Sequence, residues 1–138
     1  MKTKNILFVC RYNRFRSRVA EAYFKKINKK KNIKIKSAGL IKGNPLNPKT
    51  VSIIKRLGLD ISGKPQGLSS KLMAWQNVTI IVANDVPPQV FDRNKEYGKR
   101  VIVWKIKDIK EEKNLQIKKV VKSIMKKVDK LVKNQEAK

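Results

Sequence analysis

The spacing of apolar residues changes several times along the chain, and each pattern predicts a secondary-structure element. Residues 5–10 form a continuous apolar run of β-forming side chains, which is typical of a strand buried on both faces of a parallel sheet. Residues 17–31 carry apolar side chains every three or four positions with lysines on the opposite face, which predicts an amphipathic helix. Residues 32–37 alternate between apolar and polar positions, so a second strand is expected there.

The same alternation of strands and helices continues towards the C-terminus. Asn47 followed by Pro48 predicts the cap and first turn of a helix that ends near Gly58. The further predicted elements are a short helix near 69–75, a strand at 77–83, a short helix through about 92 capped by Asp85, a strand at 100–104 and a long amphipathic helix at 111–133.

Strands that alternate with helices indicate an α/β fold in which right-handed crossovers build a parallel sheet. A chain of 138 residues without an internal repeat or linker fits one domain, spanning 1–138. We therefore expect a three-layer sandwich with a four-stranded parallel sheet and helices on both faces. Ligands of such sheets bind beyond the carboxyl ends of the strands, which is where Cys10 ends the first strand.

The composition excludes several classes of protein and of catalytic chemistry. The chain has one Cys and no His, which excludes an internal disulfide, a Cys/His zinc site and any histidine base. No apolar run approaches the roughly 18 residues of a membrane span. These features predict a soluble, cytoplasmic protein that uses neither a metal nor another cofactor.

The positive charge of the chain has two explanations, a compositional bias towards Lys or an anionic partner, and the arginines are distributed differently from the lysines. Lys and Arg number 35 against 10 Asp and Glu, so the formal net charge is +25. The lysines are spread over the whole chain, whereas four of the seven arginines fall between positions 11 and 18. The planar guanidinium matches phosphate and carboxylate with two parallel hydrogen bonds. Arg11, Arg14, Arg16 and Arg18 therefore mark a candidate oxyanion site.

The segment between the first strand and the first helix reads Cys10, five residues, Arg16 and Ser17. Five intervening residues can curl into a ring whose backbone N–H groups face an oxyanion, and the start of the helix adds its positive end. These donors favour a thiolate at Cys10. Arg16 is suited to bind two phosphate oxygens, and Ser17 is suited to donate a hydrogen bond to the sulfur. The predicted phosphate-binding loop comprises Arg11, Tyr12, Asn13, Arg14, Phe15, Arg16 and Ser17.

The same residues resemble the low-molecular-weight protein tyrosine phosphatase family, whose fold arsenate reductases share. The matching motifs are Phe8-Val9-Cys10, Asn13, Arg16-Ser17, Ala20-Glu21-Ala22, Ser37-Ala38-Gly39 and residues 58–62. The resemblance implies a single phosphatase-like domain whose four-stranded parallel sheet has the order 2-1-3-4. It also implies hydrolysis of phosphomonoesters, phosphotyrosine above all, through a phosphocysteine. By resemblance Cys10 is the nucleophile, Arg16 binds phosphate, and Asn13 and Ser17 hold the loop.

The chain departs from the family pattern at several places. Tyr12 stands where the family has Gly, and Tyr tolerates poorly the positive φ that Gly permits. Phe15 stands where many members have a second Cys. The family carries an Asp-Pro pair after its fourth strand, and its Asp is the general acid. Asp108 matches that Asp but lacks the Pro, so Asp108 is the expected acid and Asp85 is the alternative.

Other functions are compatible with the same residues. A phosphatase fold without turnover would bind a phosphorylated or polyanionic partner, nucleic acid included, with a steep salt dependence at this charge. A thioredoxin-coupled arsenate reductase is disfavoured because the chain has no second Cys, but a single-thiol mechanism with an external thiol stays open. The favoured partner is a phosphorylated protein or a small aryl phosphate, with Trp75 and Trp104 as candidates for an aromatic wall.

Overall fold

Four parallel strands form the centre of the part of the protein that the structure describes. The structure is a computed structural model, and it describes residues 3–61 and 63–136, so Ser62 of the 58–62 motif lies outside them. The strands are β1 (Lys4–Cys10), β2 (Ile33–Gly39), β3 (Val78–Val82) and β4 (Arg100–Trp104). Their order is β2-β1-β3-β4 and every pairing is parallel, which confirms the predicted sheet.

Helices cover both faces of this sheet, which confirms the predicted three layers. The described α-helices are α1 (Arg16–Ile27), α2 (Pro48–Arg56), α3 (Ser70–Trp75) and α4 (Asn114–Glu136). Side chains of α1, α2 and α4 pack in one apolar cluster against one face of the sheet. A second cluster on the other face contains side chains of α3 and of a 3-10 segment (Pro88–Tyr97).

β1 is buried on both faces, as its uninterrupted apolar sequence predicts. Phe8 packs in the cluster with α1, and its ring lies 6.2 Å from the ring of Phe24. Val9 belongs to the opposite cluster, together with Phe91 of the 3-10 segment. Because both faces are packed, β1 holds Cys10 at the end of a rigid element.

Within the described residues, no helix is both long and apolar enough to cross a membrane.

The apolar stripe of the last helix packs in the core as expected. The stripe accounts for the long amphipathic pattern in the sequence, since the helix buries one face and exposes its lysines on the other. Ile117, Val121, Ile124, Val128 and Val132 are buried, and Val120 and Leu131 pack partly buried against the same cluster.

Local hydrogen bonds set where α1 ends and where α2 begins. The helix predicted to reach residue 31 ends at Ile27, because Asn28 has an extended backbone with φ −73° and ψ 127°. The Asn28 side chain accepts from the N–H of Lys30 and donates to its carbonyl, which closes the turn after the helix. At α2 the predicted cap is confirmed, since Asn47 Oδ1 accepts from the N–H of Lys49 at 2.9 Å.

Two predicted boundaries in the second half of the chain are wrong. The last helix begins at Asn114 and not at residue 111, so Glu111 lies before it. The short helix after β3 begins at Pro88 as a 3-10 segment, and no side chain caps it within the described residues. Asp85 is therefore not a helix cap. Its carboxylate instead accepts a hydrogen bond from Arg16.

Candidate active site

The candidate site lies where β1 ends and α1 begins, at the carboxyl edge of the sheet. The carbonyls of Cys10, Arg11 and Tyr12 accept hydrogen bonds from the N–H groups of residues 40, 41 and 43, at 2.9, 2.9 and 3.1 Å. All described peptides are trans, and in a trans peptide the carbonyl and the N–H point in opposite directions. The N–H groups of the loop are therefore turned away from residues 40–43, as an anion-binding ring requires.

The first turn of α1 adds a second source of positive potential. Among the described residues no side chain caps this helix at Phe15, and its first turn carries no acidic residue. The N–H groups at the start of a helix have no partner inside the helix and favour an anion. The loop after Cys10 and the first turn of α1 are thus two adjacent sources of hydrogen-bond donors for an anion.

Asn13 holds the loop through its side chain. It has φ +55°, a left-handed conformation that Asn tolerates better than most residues. Asn13 Oδ1 accepts from the N–H of Gln66 at 2.9 Å. Its Nδ2 therefore faces the other way and donates to the hydroxyls of Ser17 and Ser37 at 2.8 and 3.0 Å. The strain expected at Tyr12 is absent, because the positive φ falls on Asn13.

The hydroxyl of Ser17 lies 3.0 Å from the sulfur of Cys10. Because this hydroxyl already accepts from Asn13 Nδ2, its own hydrogen is available for a hydrogen bond to the sulfur. The network continues through Ser37, whose hydroxyl donates to Glu21 Oε1 at 2.6 Å. A chain of side-chain hydrogen bonds thus runs from a partly exposed carboxylate to the predicted nucleophile.

Gly39 allows β2 to approach the loop closely. A Cβ at this position would lie 2.4 Å from Ile41 O, 2.6 Å from Tyr12 C and 2.7 Å from Asn13 N. These atoms belong to the backbone, so a larger residue would displace the loop and not merely a flexible side chain. Gly39 also pairs with Cys10 in the parallel register of β1 and β2, which places this constraint directly beside the nucleophile.

Arg16 is almost fully buried, with 1% of its surface exposed. Its Nη1 donates to the carbonyl of Ile106 at 2.8 Å, and its Nη2 donates to Asp85 Oδ1 at 3.0 Å. Asp108 Oδ2 lies 3.5 Å from the same Nη2. Because a buried guanidinium is costly unless it is paired, these acceptors are what allow the charge to sit beside Cys10.

The structure brings the three predicted catalytic residues to one cavity of about 200 Å³. Cys10 and Arg16 line it, and so does Asp108, whose side chain is 44% exposed. Asp108 Oδ1 accepts from the N–H of Ile109 at 2.9 Å, which fixes the carboxylate. Asp85 binds Arg16 but is not one of the lining residues, so Asp108 is the better placed of the two candidate acids.

The four clustered arginines have different surroundings. Arg14 lines the cavity, and its Nε donates to a loop carbonyl at 2.7 Å. Arg11 Nε donates to the hydroxyl of Tyr12 at 3.1 Å, and this hydrogen bond raises the pKa of the Arg11 guanidinium above its ordinary value. Arg18 lies outside the cavity and donates to a different loop carbonyl, also at 2.7 Å. Among the described arginines, Arg14 and Arg16 are therefore the two that face the predicted phosphate site.

Neither tryptophan borders the cavity, so both are wrong as candidates for its aromatic wall. Trp104 is buried in the core, with its ring 5.8 Å from the ring of Phe8. Trp75 is partly buried elsewhere, with Lys36 Nζ 4.6 Å above its ring. The aromatic side chain that borders the cavity and is partly exposed is Tyr12.

Sequence reasoning missed the residues that support the loop from other elements. Asp85 and Ile106 hold Arg16, and both come shortly after a strand, at the edge where parallel strand ends meet. That position is a signal the sequence contains. Gln66 binds Asn13 from a Gly- and Pro-rich loop, and nothing in the sequence marks it. Within the described residues no group of three or more His, Cys, Asp or Glu is placed to hold a metal ion.

A comparison with protein-family models decides the family. The model described as low molecular weight phosphotyrosine protein phosphatase matches residues 5–138. The chain belongs to this family. Membership supports a cysteine-based phosphatase, in agreement with the resemblance noted in the sequence and with the position of Cys10 in the loop. No curated protein sequence matches the chain.

Solved structures share the fold of this phosphatase family across nearly the whole chain. The low molecular weight protein tyrosine phosphatase from T. tengcongensis has a TM-score of 0.82 at 23% identity, covering 96% of this chain and 99% of that one. The YwlE arginine phosphatase from Geobacillus stearothermophilus has a TM-score of 0.81 at 18% identity, covering 97% and 94%. The thioredoxin-dependent arsenate reductase from Corynebacterium glutamicum has a TM-score of 0.73 at 20% identity, covering 99% and 64%. At these identities the likeness shows the fold.

Proposed function

We propose that this protein hydrolyses aryl phosphates of the phosphotyrosine type through a phosphocysteine on Cys10. The observation that carries the proposal is the shared cavity of Cys10, Arg16 and Asp108 at the start of α1. The Ser17 hydroxyl, 3.0 Å from the sulfur, is placed to donate a hydrogen bond to the nucleophile. The proposed enzyme is a cytoplasmic phosphatase in which residues 1–138 act as one domain.

The first step transfers the phosphoryl group to the protein. The Cys10 thiolate attacks phosphorus in line with the ester bond, so an S–P bond forms as the P–O bond to the leaving group breaks. The loop N–H groups and Arg16 bind the equatorial oxygens and stabilise the charge that they carry in the transition state. Asp108 donates its proton to the departing oxygen, which leaves as a neutral phenol.

The second step releases phosphate and restores the thiolate. Asp108, now a carboxylate, accepts a proton from a water molecule that attacks phosphorus opposite the sulfur. The S–P bond breaks, and Ser17 donates a hydrogen bond to the sulfur as it takes up the electron pair. Phosphate leaves, and Asp108 is again protonated for the next cycle.

The hydrolysis of p-nitrophenyl phosphate in the presence of a chelator tests this proposal. We expect turnover in the wild type and its loss in Cys10→Ser and in Arg16→Ala. Arg18→Ala is the matched control, because Arg18 belongs to the same arginine cluster but lies outside the cavity. Activity that persists in Cys10→Ser would contradict the proposal.

Phosphoarginine hydrolysis and arsenate reduction are the competing activities, since relatives with this fold carry those names. Phosphoarginine brings its own guanidinium, which Arg14 at the cavity would repel, so we expect phosphotyrosine to be the better substrate. Arsenate reduction needs further thiols, and the chain has one Cys. Arsenate with external thiol and a reductase system is the assay for it, and we expect no reduction above background.

A binding role without turnover is the remaining alternative. In that case the protein would bind phosphate or phosphoprotein and release no product from any aryl phosphate. Nucleic acid is a possible additional partner because of the net charge of +25. Its binding would weaken steeply with salt, whereas hydrolysis of a small aryl phosphate would not.

A further inference from the structure

The ring of Tyr12 is held in place by its neighbour Arg11. Arg11 Nε donates to the Tyr12 hydroxyl at 3.1 Å, and the Arg11 guanidinium carbon lies 5.4 Å from the centre of the ring. Tyr12 lines the cavity and Arg11 does not. Arg11 therefore restrains the hydroxyl end of the ring of a residue that borders the cavity.

The backbone and Cβ of Tyr12 are also fixed by their neighbours. The Tyr12 carbonyl accepts from the N–H of Gly43 at 3.1 Å. A Cβ on Gly43 would lie 2.6 Å from Tyr12 Cβ, so the missing side chain at 43 is what lets the two segments meet. A ring restrained in this way loses little conformational entropy when a ligand packs on it.

Apolar side chains complete the space next to this ring. Leu46 and Ile109 line the same cavity, and both are partly buried. Phe15 also lines the cavity but is 3% exposed, because its ring packs in the hydrophobic core. Tyr12 is thus the aromatic surface that the described part of the chain offers to a group attached to a phosphate on Cys10.

We propose that Tyr12 is a substrate-binding residue whose ring packs against the aryl group of the substrate, with Arg11 as the residue that positions the ring. The identity of the aryl substrate rests on the proposed function, but the ring contact itself does not. An aromatic pair contributes beyond its buried area by an amount that corresponds to about a two- to tenfold change in affinity. Selectivity for aryl over alkyl phosphoryl groups should therefore depend on Tyr12.

Binding of two phosphonates that resist hydrolysis tests this role without relying on turnover. Benzylphosphonate carries a ring and methylphosphonate does not, so their affinity ratio measures the ring contact alone. We expect Tyr12→Ala to weaken benzylphosphonate about two- to tenfold and to leave methylphosphonate within about twofold. Tyr12→Phe should keep most of the ratio, and Arg11→Gln should lower it partly. Tyr97→Ala, at a tyrosine that is 69% exposed and outside the cavity, is the matched control.

An unchanged affinity ratio in Tyr12→Ala would overturn the inference. If both affinities fall by the same factor, Tyr12 supports the loop only, and if neither falls, Tyr12 does not contact the ligand. If the loop loses its shape in Tyr12→Ala, this variant binds neither compound. In that case the ratio of benzylphosphonate to methylphosphonate affinity is compared between Tyr12→Leu and Tyr12→Phe, and a lower ratio in Tyr12→Leu supports the ring contact. A wild type that prefers benzylphosphonate but hydrolyses no aryl phosphate would refute the proposed function and leave the ring contact standing.

Discussion

The guanidinium of Arg16 donates to the carboxylate of Asp85 at 3.0 Å, although 69 positions separate the two residues in the chain. Arg16 follows β1 and Asp85 follows β3, and these neighbouring parallel strands end at the same edge of the sheet. Asp108 reaches the same nitrogen at 3.5 Å from beyond β4. The edge therefore carries two carboxylates with different positions, one that holds Arg16 and one that also borders the cavity.

These positions predict different effects of two Asp→Asn substitutions. Asp108→Asn should lower kcat for p-nitrophenyl phosphate by about 10²–10⁴-fold, because it removes the proton donor. Asp85→Asn should lower kcat less and mainly raise KM, because it loosens Arg16. Steady-state kinetics measures both, with Asp92→Asn at an exposed site as the control. If the two effects are reversed, the general acid is Asp85.

Arg14 should influence which substrates are preferred. Its guanidinium lines the cavity and is oriented by a hydrogen bond to Asn44 O at 2.7 Å. Arg14→Glu should therefore raise KM for a phosphopeptide with acidic neighbours more than KM for a small aryl phosphate. Arg18→Glu makes the same charge change outside the cavity and should affect the two substrates alike. If Arg14→Glu affects both substrates equally, Arg14 contacts only the phosphate group or does not contact the substrate.

Oxidation of Cys10 should be hard to reverse once it proceeds beyond the first stage. A thiolate is attacked by peroxide to give sulfenic acid, and a second Cys could capture it as a disulfide. The chain has no other Cys, and Phe15 occupies the nearby loop position. Brief peroxide should inactivate the enzyme, phosphate should protect it, and long exposure should give sulfinic acid in the Cys10 peptide by mass spectrometry. If dithiothreitol restores full activity after long exposure and no sulfinic acid is found in the Cys10 peptide, Cys10 is not a reactive thiolate.

The contact between α1 and α4 should make stability depend on pH in the alkaline range. Tyr23 donates to Asp129 Oδ1 at 2.6 Å, which raises the pKa of Tyr23 from 10.0 to about 12. Because the pKa is raised in the folded state, the hydrogen bond stabilises the fold fully below pH 10. This stabilisation is lost as the pH rises towards about 12. Because the pair is largely exposed, its contribution is at most about 1 kcal/mol.

The variant Tyr23→Phe tests this linkage. Urea unfolding should show a lower free energy of unfolding for Tyr23→Phe at pH 8, and the difference from wild type should shrink above pH 10. Tyr97→Phe, at an exposed tyrosine, should show no such convergence. A difference that stays constant up to pH 11 would mean that the hydrogen bond to Asp129 is not its source.

The sequence predicted those parts of the protein that depend on local pattern. The double-sided burial of β1, the Asn47 cap and the parallel pairing of the strands followed from local pattern and from the rules for α/β crossovers. The strand order followed from the family resemblance. The loop with Cys10 and Arg16 could be recognised because its residues are consecutive. Each of these features needs only neighbours in the chain or a general rule of sheet topology.

The features that the sequence did not predict depend on distant partners. Asp85 has the local pattern of a helix cap, and only the sheet edge shows that it binds Arg16. The strain expected at Tyr12 is relieved because the loop turns at Asn13, whose side chain is bound to Gln66 of another loop. The walls of the cavity come from three separate segments, so no local pattern could reveal that Tyr12, Leu46 and Ile109 share it.

In the proposed mechanism Cys10 carries the phosphoryl group during turnover. Acid quenching within milliseconds of mixing with an aryl phosphate, followed by mass spectrometry of the peptides, tests it most directly. We expect one added phosphoryl group on the Cys10 peptide, in step with the release of phenol, and none in Cys10→Ala. Turnover with no phosphoryl group on that peptide, or with the group on another residue, would rule out Cys10 as the nucleophile.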